Sequence, residues 1–303
     1  MNKKVRHLGH LPSKGSLDML PTHSFIEDSK VLIFDLDGTL YEDTAHFDLF
    51  AEKLQKLVPH DQQENFQQDF QKVKNGTHPL AIGKVYDAQE DLIWTWDPFI
   101  ETLTMPETWS GELHNQQDKH LKFPASSFDF DRWIAIGDGW WPPYVLARHY
   151  GVPMKTCHNA YNETKVDMAK GDGWITETPG LRDFLHKLKD DMKIVLMTNS
   201  DAVDVERLLE HLSLQHAFET KITSAVKPVR TKEHFEQIVN QYNVPPEKVI
   251  SIGDNFMNEI APALQMGMKA VWLTPDQPQQ AHENLWPVTS LVDIIPKCSG
   301  KEE

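Results

Sequence analysis

The stretch Val31-Leu32-Ile33-Phe34-Asp35-Leu36-Asp37-Gly38-Thr39-Leu40 runs four apolar residues into two acids separated by a single leucine. A short unbroken apolar run reads as a strand buried on both faces, and the Asp-Gly step after it reads as a turn. Carboxylates at the mouth of a buried strand are costly unless a cation or a reaction occupies them. The rest of the chain decides between a plain strand–turn and a site.

From Thr178 onward helix-like and strand-like segments alternate, the pattern of an α/β fold with a mostly parallel sheet. Leu181, Phe184, Leu185 and Leu188 fall at helical spacing after Pro179, and Lys193-Ile194-Val195-Leu196-Met197 reads as a buried strand. Helix-like DVERLLEHLSL precedes strand-like Thr220-Lys221-Ile222-Thr223. KEHFEQIVNQYNV precedes Val249-Ile250-Ser251-Ile252, and a last helix through Ile260, Ala263 and Leu264 leads to Lys269-Ala270-Val271-Trp272-Leu273. In open parallel sheets ligands sit beyond the carboxyl ends of the strands, where loops and helix N-termini converge. At those positions stand Asp35 and Asp37, then Thr198-Asn199-Ser200, then Lys227-Pro228, then Gly253-Asp254-Asn255.

Such a set has a chemical reading. One carboxylate attacks phosphorus and the second, two residues on, handles the proton of the leaving alcohol and of the attacking water. A lysine and a hydroxyl hold the phosphoryl oxygens, and Mg²⁺ between the carboxylates and the phosphate offsets their repulsion. Taken singly each motif has a plainer reading: an Asp-Gly turn, a helix N-cap at Asn199, Ser200 or Asp201, a solvated Lys227, a cap at Asp254.

Together, Asp35-Leu36-Asp37-Gly38-Thr39-Leu40, Thr198-Asn199, Lys227-Pro228 and Gly253-Asp254-Asn255 through Glu259 resemble the four ordered motifs of the haloacid dehalogenase-like hydrolase superfamily. The resemblance covers 31–40 and roughly 178–273. It implies that Asp35 is the nucleophile and a Mg²⁺ ligand. Asp37 is then the general acid/base and adds its backbone carbonyl to the metal. It makes Thr198 and Asn199 phosphate-binding, Lys227 the neutralising cation at phosphate and nucleophile, and Asp254 the second carboxylate on Mg²⁺. Asn255 and Glu259 would stand behind these groups; the family often carries an aspartate near position 259, so the glutamate is a departure. Asp37 itself favours phosphoryl chemistry, because a halide leaving group needs no proton.

The implied fold is a doubly wound, Rossmann-like α/β core of residues 29–41 and 177–296, with a mainly helical cap inserted at 42–176. Residues 1–28 read as a tail or packing arm and 297–303 as a tail. At about 135 residues the insert exceeds a simple helical cap and leaves room for an extra subdomain or strands. Its start holds Phe47, Phe50, Leu54, Leu57 and Val58 on one helical face. Seven of the nine tryptophans lie between Trp94 and Trp174, which reads as the core of this module. Ile136-Gly137-Asp138-Gly139 imitates the fourth motif but precedes the second, and is read as a turn.

The expected function is Mg²⁺-dependent hydrolysis of a small phosphorylated metabolite through an aspartyl-phosphate. A phosphomutase on the same nucleophile, and a non-catalytic scaffold using the aromatic insert, are the alternatives. A net charge of −15, from 30 Lys and Arg against 45 Asp and Glu, argues against a nucleic-acid partner. No signal peptide or membrane-spanning run is read, and two distant cysteines, Cys157 and Cys298, suggest neither a disulfide framework nor a thiolate metal site. A cytoplasmic location is expected; the oligomeric state is left open.

Overall fold

A computed structural model describes residues 24–114, 120–170, 174–189, 191–275 and 282–295. Of the expected tail at 1–28, residues 1–23 lie outside the described residues, as does the whole of the expected tail at 297–303. The chain divides into two compact units, one spanning Asp43–Trp174 and the other containing the segments on either side of it.

A single turn, α1 (Ser24–Glu27), buries Phe25 and Ile26 and leads into β1 (Val31–Phe34), all four of whose residues are buried. The first unit follows. Helix α2 (Ala45–Gln55) turns His46, Phe50, Ala51 and Leu54 inward, and α3 (Gln63–Lys74) turns Phe66, Asp69 and Phe70 inward. Five strands come next: β2 (Lys84–Asp87), β3 (Leu92–Asp97), β4 (Thr102–Glu107), β5 (Leu121–Lys122) and β6 (Trp133–Ala135). They form an antiparallel sheet in the order β5-β4-β3-β2-β6. The strands for which the length of the insert leaves room are therefore a complete second sheet. Helices α4 (Trp141–His149) and α5 (Met154–Lys170) close the unit against α2. Trp140 sits among Phe47, Phe50 and Tyr161 at ring distances of 5.4, 5.5 and 4.8 Å, so tryptophan here is core. Asp138 accepts from the Trp140 N–H at 2.9 Å, which makes Gly137-Asp138 the turn that opens α4.

In the second unit α6 (Leu181–Leu188), β7 (Lys193–Met197), α7 (Ala202–His211), β8 (Thr220–Ile222), α8 (Thr231–Tyr242), β9 (Val249–Gly253), α9 (Ala261–Gln265), β10 (Lys269–Leu273) and β11 (Leu285–Val288) follow in order. A five-residue π-helical turn, Phe256–Ile260, precedes α9. The six strands form one parallel sheet in the order β11-β10-β9-β1-β7-β8, as the alternation of apolar strands and amphipathic helices predicts. β1 lies at the centre, with Val31 opposite both Lys193 and Val249. Strand β11 has no counterpart in the sequence reading. It holds Pro287 and lies at the sheet edge, where a missing N–H is tolerated.

Candidate active site

All four motifs lie at the carboxyl ends of neighbouring strands of the parallel sheet. The Asp35 N–H donates to the Ile252 carbonyl at 3.0 Å, carrying the β1–β9 ladder one residue past the strand and fixing where the Asp35 side chain starts. Beyond it the chain turns tightly: the N–H groups of Thr39 and Leu40 both donate to the Leu36 carbonyl, and Gly38 has φ +77°. A side chain at Gly38 is excluded twice, by that left-handed backbone and because a Cβ there would fall 2.8 Å from Asp254 Cγ. The Asp254 carboxylate thus lies against the turn that carries Asp35 and Asp37.

Lys227 is 2% exposed and its ammonium bridges two carboxylates. Nζ donates to Asp35 Oδ1 at 2.6 Å and to Glu259 Oε1 at 2.5 Å. It is buried and doubly paired, so the solvated reading fails. Its main chain is held as firmly: the Lys227 N–H donates to Asn199 Oδ1 at 2.7 Å and the Asn199 amide donates back to the Lys227 carbonyl at 3.1 Å. The Lys227–Pro228 peptide bond is cis. Asn199 therefore acts first on the lysine's backbone. Burial pushes the Asp35 carboxyl above its ordinary range, against the pull of the Lys227 ammonium. Burial opposes the charge on Lys227 too, but Asp35 and Glu259 outweigh it and hold the ammonium above its usual range.

Glu259 reaches back from the π-helical turn. While Oε1 meets Lys227, Oε2 accepts from the Asn255 N–H at 3.1 Å. The glutamate at this position thereby ties the fourth motif to the lysine. Asn255 is the cap of that turn, its side-chain oxygen accepting from the N–H groups of Met257 and Asn258, both at 3.1 Å. Asp254 is not the cap; its carbonyl accepts from the Trp272 indole at 3.0 Å. The cap of α7 is likewise Asp201, which accepts from the Asp204 N–H at 2.9 Å. That leaves Thr198 and Ser200 for other work. Thr198, 1% exposed, accepts from the Ser200 N–H at 3.1 Å, and among the described residues its own hydroxyl hydrogen meets no acceptor.

Ser200 and Tyr41, which lie outside the predicted set, touch Asp37. The Ser200 hydroxyl donates to Asp37 Oδ2 at 2.8 Å, and the Tyr41 hydroxyl donates to Asp37 Oδ1. Neither is marked by spacing; the adjacency of Ser200 to Thr198-Asn199 and of Tyr41 to the Asp-Gly turn is the available signal.

The donors expected to hold Mg²⁺ are two carboxylates, Asp35 and Asp254, and the Asp37 carbonyl. These are hard oxygen ligands few enough to leave the ion its waters, and the close seating of Asp254 on the Gly38 turn suits that set. Among the described residues no three His, Cys, Asp or Glu side chains form a ready metal cluster, and this set requires only two. No helix among the described residues is long and apolar enough to cross a membrane.

The chain is similar to several known proteins. Glyceraldehyde 3-phosphate phosphatase from Pyrococcus furiosus is 30% identical over 117 residues, which is 37% of this chain and 46% of that protein. The match thus spans about half of that relative's length. Haloacid dehalogenase-like hydrolase domain-containing protein 3 from Xenopus laevis is 25% identical over 53% of this chain and 69% of that protein. Among solved structures, a HAD phosphatase from Thermococcus onnurineus aligns with a TM-score of 0.48 and 15% identity, covering 88% of this chain and 95% of that one. The Bacillus subtilis protein YfnB, solved bound to magnesium, aligns with a TM-score of 0.49 and 14% identity over 88% of this chain and 96% of that one. The model of the haloacid dehalogenase-like hydrolase family matches residues 29–267, most of the chain, and the protein belongs to that family.

Proposed function

We propose that the protein is a Mg²⁺-dependent phosphatase that hydrolyses a small phosphorylated metabolite through an aspartyl-phosphate on Asp35. The observation that carries this reading is the buried Lys227, which pairs with Asp35 while a second carboxylate, Asp37, stands two residues further along the same turn.

Asp35 attacks phosphorus through the oxygen that Lys227 does not hold, and the bond from phosphorus to the ester oxygen breaks. Asp37 gives its proton to the departing alkoxide, so an alcohol leaves and Asp35 carries the phosphoryl group. Asp37 then takes a proton from water as the water oxygen attacks phosphorus, which frees Asp35 and inorganic phosphate. Thr198 donates its hydroxyl to a phosphoryl oxygen, and Lys227 neutralises charge on the same group. Mg²⁺, held by Asp35, Asp254 and the Asp37 carbonyl, would supply electrostatic stabilisation of the phosphoryl oxygens. The insert at 42–176 corresponds to the cap that the resemblance implies.

A screen of phosphorylated metabolites for phosphate release, with Mg²⁺ present, tests activity and substrate class together. Release without transfer to a second hydroxyl supports a phosphatase over a mutase. An Asp35→Asn variant that kept full activity would overturn the assignment.

A further inference from the structure

We infer that Tyr41 and Ser200 are positioning residues that aim the Asp37 carboxyl at the ester oxygen of the substrate. The inference rests on the phosphatase reading given above and adds to it two side chains that never touch the reacting atoms.

The two hydroxyls grip Asp37 from opposite ends. Ser200 Oγ donates to Oδ2 at 2.8 Å and Tyr41 Oη donates to Oδ1, so rotation of the carboxyl about its last bond breaks both contacts. Both donors are fixed by their own surroundings. The Tyr41 ring is wholly buried, and its backbone forms a parallel bridge to Asp37 across the turn in which Thr39 and Leu40 donate to Leu36. Ser200 is 4% exposed, its N–H is spent on Thr198 Oγ1 and its carbonyl accepts from the Ser224 N–H at 2.9 Å. The capping of α7 falls to Asp201, so the serine hydroxyl is not needed there.

A carboxylate offers two lone pairs on each oxygen. With a fixed donor on each oxygen the plane of the carboxyl is set, and with it the direction in which the proton in transit leaves and returns. A phenylalanine at 41 would fill the same space, and packing alone gives no reason for the hydroxyl. Alignment of the proton donor matters only where the leaving group needs a proton. It should therefore show as a loss that depends on the leaving group.

The test uses the full chain with Mg²⁺ and three probes: p-nitrophenyl, phenyl and p-methoxyphenyl phosphate, whose leaving groups need protonation increasingly in that order. kcat/KM is compared for Tyr41→Phe, Ser200→Ala and the wild type, because it reports the step in which the alcohol departs. Each variant is expected to lose roughly tenfold more on p-methoxyphenyl phosphate than on p-nitrophenyl phosphate. Ser200→Thr, which restores a hydroxyl, should recover most of the difference. An equal loss on all three probes, or no loss, would overturn the inference and leave both residues structural. If Tyr41→Phe fails to fold, Ser200→Ala and its threonine rescue decide the matter alone. Asp35→Asn separates the two levels. If it retains turnover the phosphatase reading fails; if it is dead while the two variants lose evenly, only the positioning role fails.

Discussion

Glu259 lies over Gly253 so closely that a Cβ added at 253 would fall 2.9 Å from both its Cγ and its Oε2. The carboxylate that braces Lys227 can occupy its place only because β9 ends without a side chain. Gly253→Ala should force it out of place, and because Glu259 is 1% exposed its packed neighbours must shift to take up the displacement. A loss of about 1–3 kcal/mol is expected from overpacking at such a site. In chemical denaturation the double variant Gly253→Ala/Glu259→Ala should be more stable than the two single losses sum to, because the clash and the lost contact concern the same atoms.

The bridging lysine and its second carboxylate should differ in what their removal costs. Lys227→Met leaves two buried carboxylates side by side with no cation, for which a loss of about 3–5 kcal/mol is expected. Glu259→Gln keeps Asp35 paired with the lysine but turns an amide toward the Asn255 N–H, a smaller loss of about 1–3 kcal/mol. Urea midpoints measured without metal check the order, and phosphate release should vanish in the first variant and fall in the second.

Metal removal should be readable apart from turnover. After treatment with a chelator the protein should release no phosphate, and added Mg²⁺ should raise its melting temperature. At a hundredfold excess over the dissociation constant, linkage puts the gain at about 2.7 kcal/mol. In Asp254→Asn the Mg²⁺-dependent shift should shrink or disappear while the metal-free melting temperature changes little.

The inserted unit carries its own pH dependence at His78. Burial lowers this imidazole from 6.5 to about 4, more than the neighbouring Asp69 can offset. Its Nδ1 accepts from the Leu80 N–H at 3.0 Å, an arrangement that needs the neutral ring. The unfolded chain binds this proton below pH 6.5 and the folded chain does not until about 4, so the stabilisation is complete above pH 6.5 and falls as pH drops through that window. Denaturation at pH 7 and pH 5 should show a loss of up to about 2 kcal/mol in the wild type that His78→Asn lacks.

The parallel core was readable because β1, β7 and β9 are short apolar runs followed by residues no core tolerates, and because parallel topology sends the residues after the strands to one edge. Asp35, Lys227 and Asp254 declare themselves in this way. Ser200 and Tyr41 do not, since a hydroxyl beside a motif has too many ordinary uses and only the fold shows which carboxylate it meets. Their backbone positions were legible and their partners were not. In the insert, β3 buries five of its six residues, Leu92 to Trp96, so the alternation that marks an antiparallel strand is lost. Asp69 gives no sign in the sequence of being a buried acid. Its burial depends on the Trp109 indole and the Tyr150 hydroxyl, 40 and 81 residues away, which donate to it at 2.9 and 2.7 Å.

The place of β1 at the middle of the sheet has a consequence for how the protein is made. During synthesis this strand leaves the ribosome before any other of its sheet, yet its partners are residues 193–196 on one side and 249–252 on the other. A nascent chain halted anywhere inside the insert presents Val31-Leu32-Ile33-Phe34 with no neighbouring strand, an apolar segment of the kind that aggregates or recruits chaperones. The nucleophile is thus translated early and set in place late, and every truncation that stops short of β9 leaves Asp35 without the Ile252 carbonyl that anchors it.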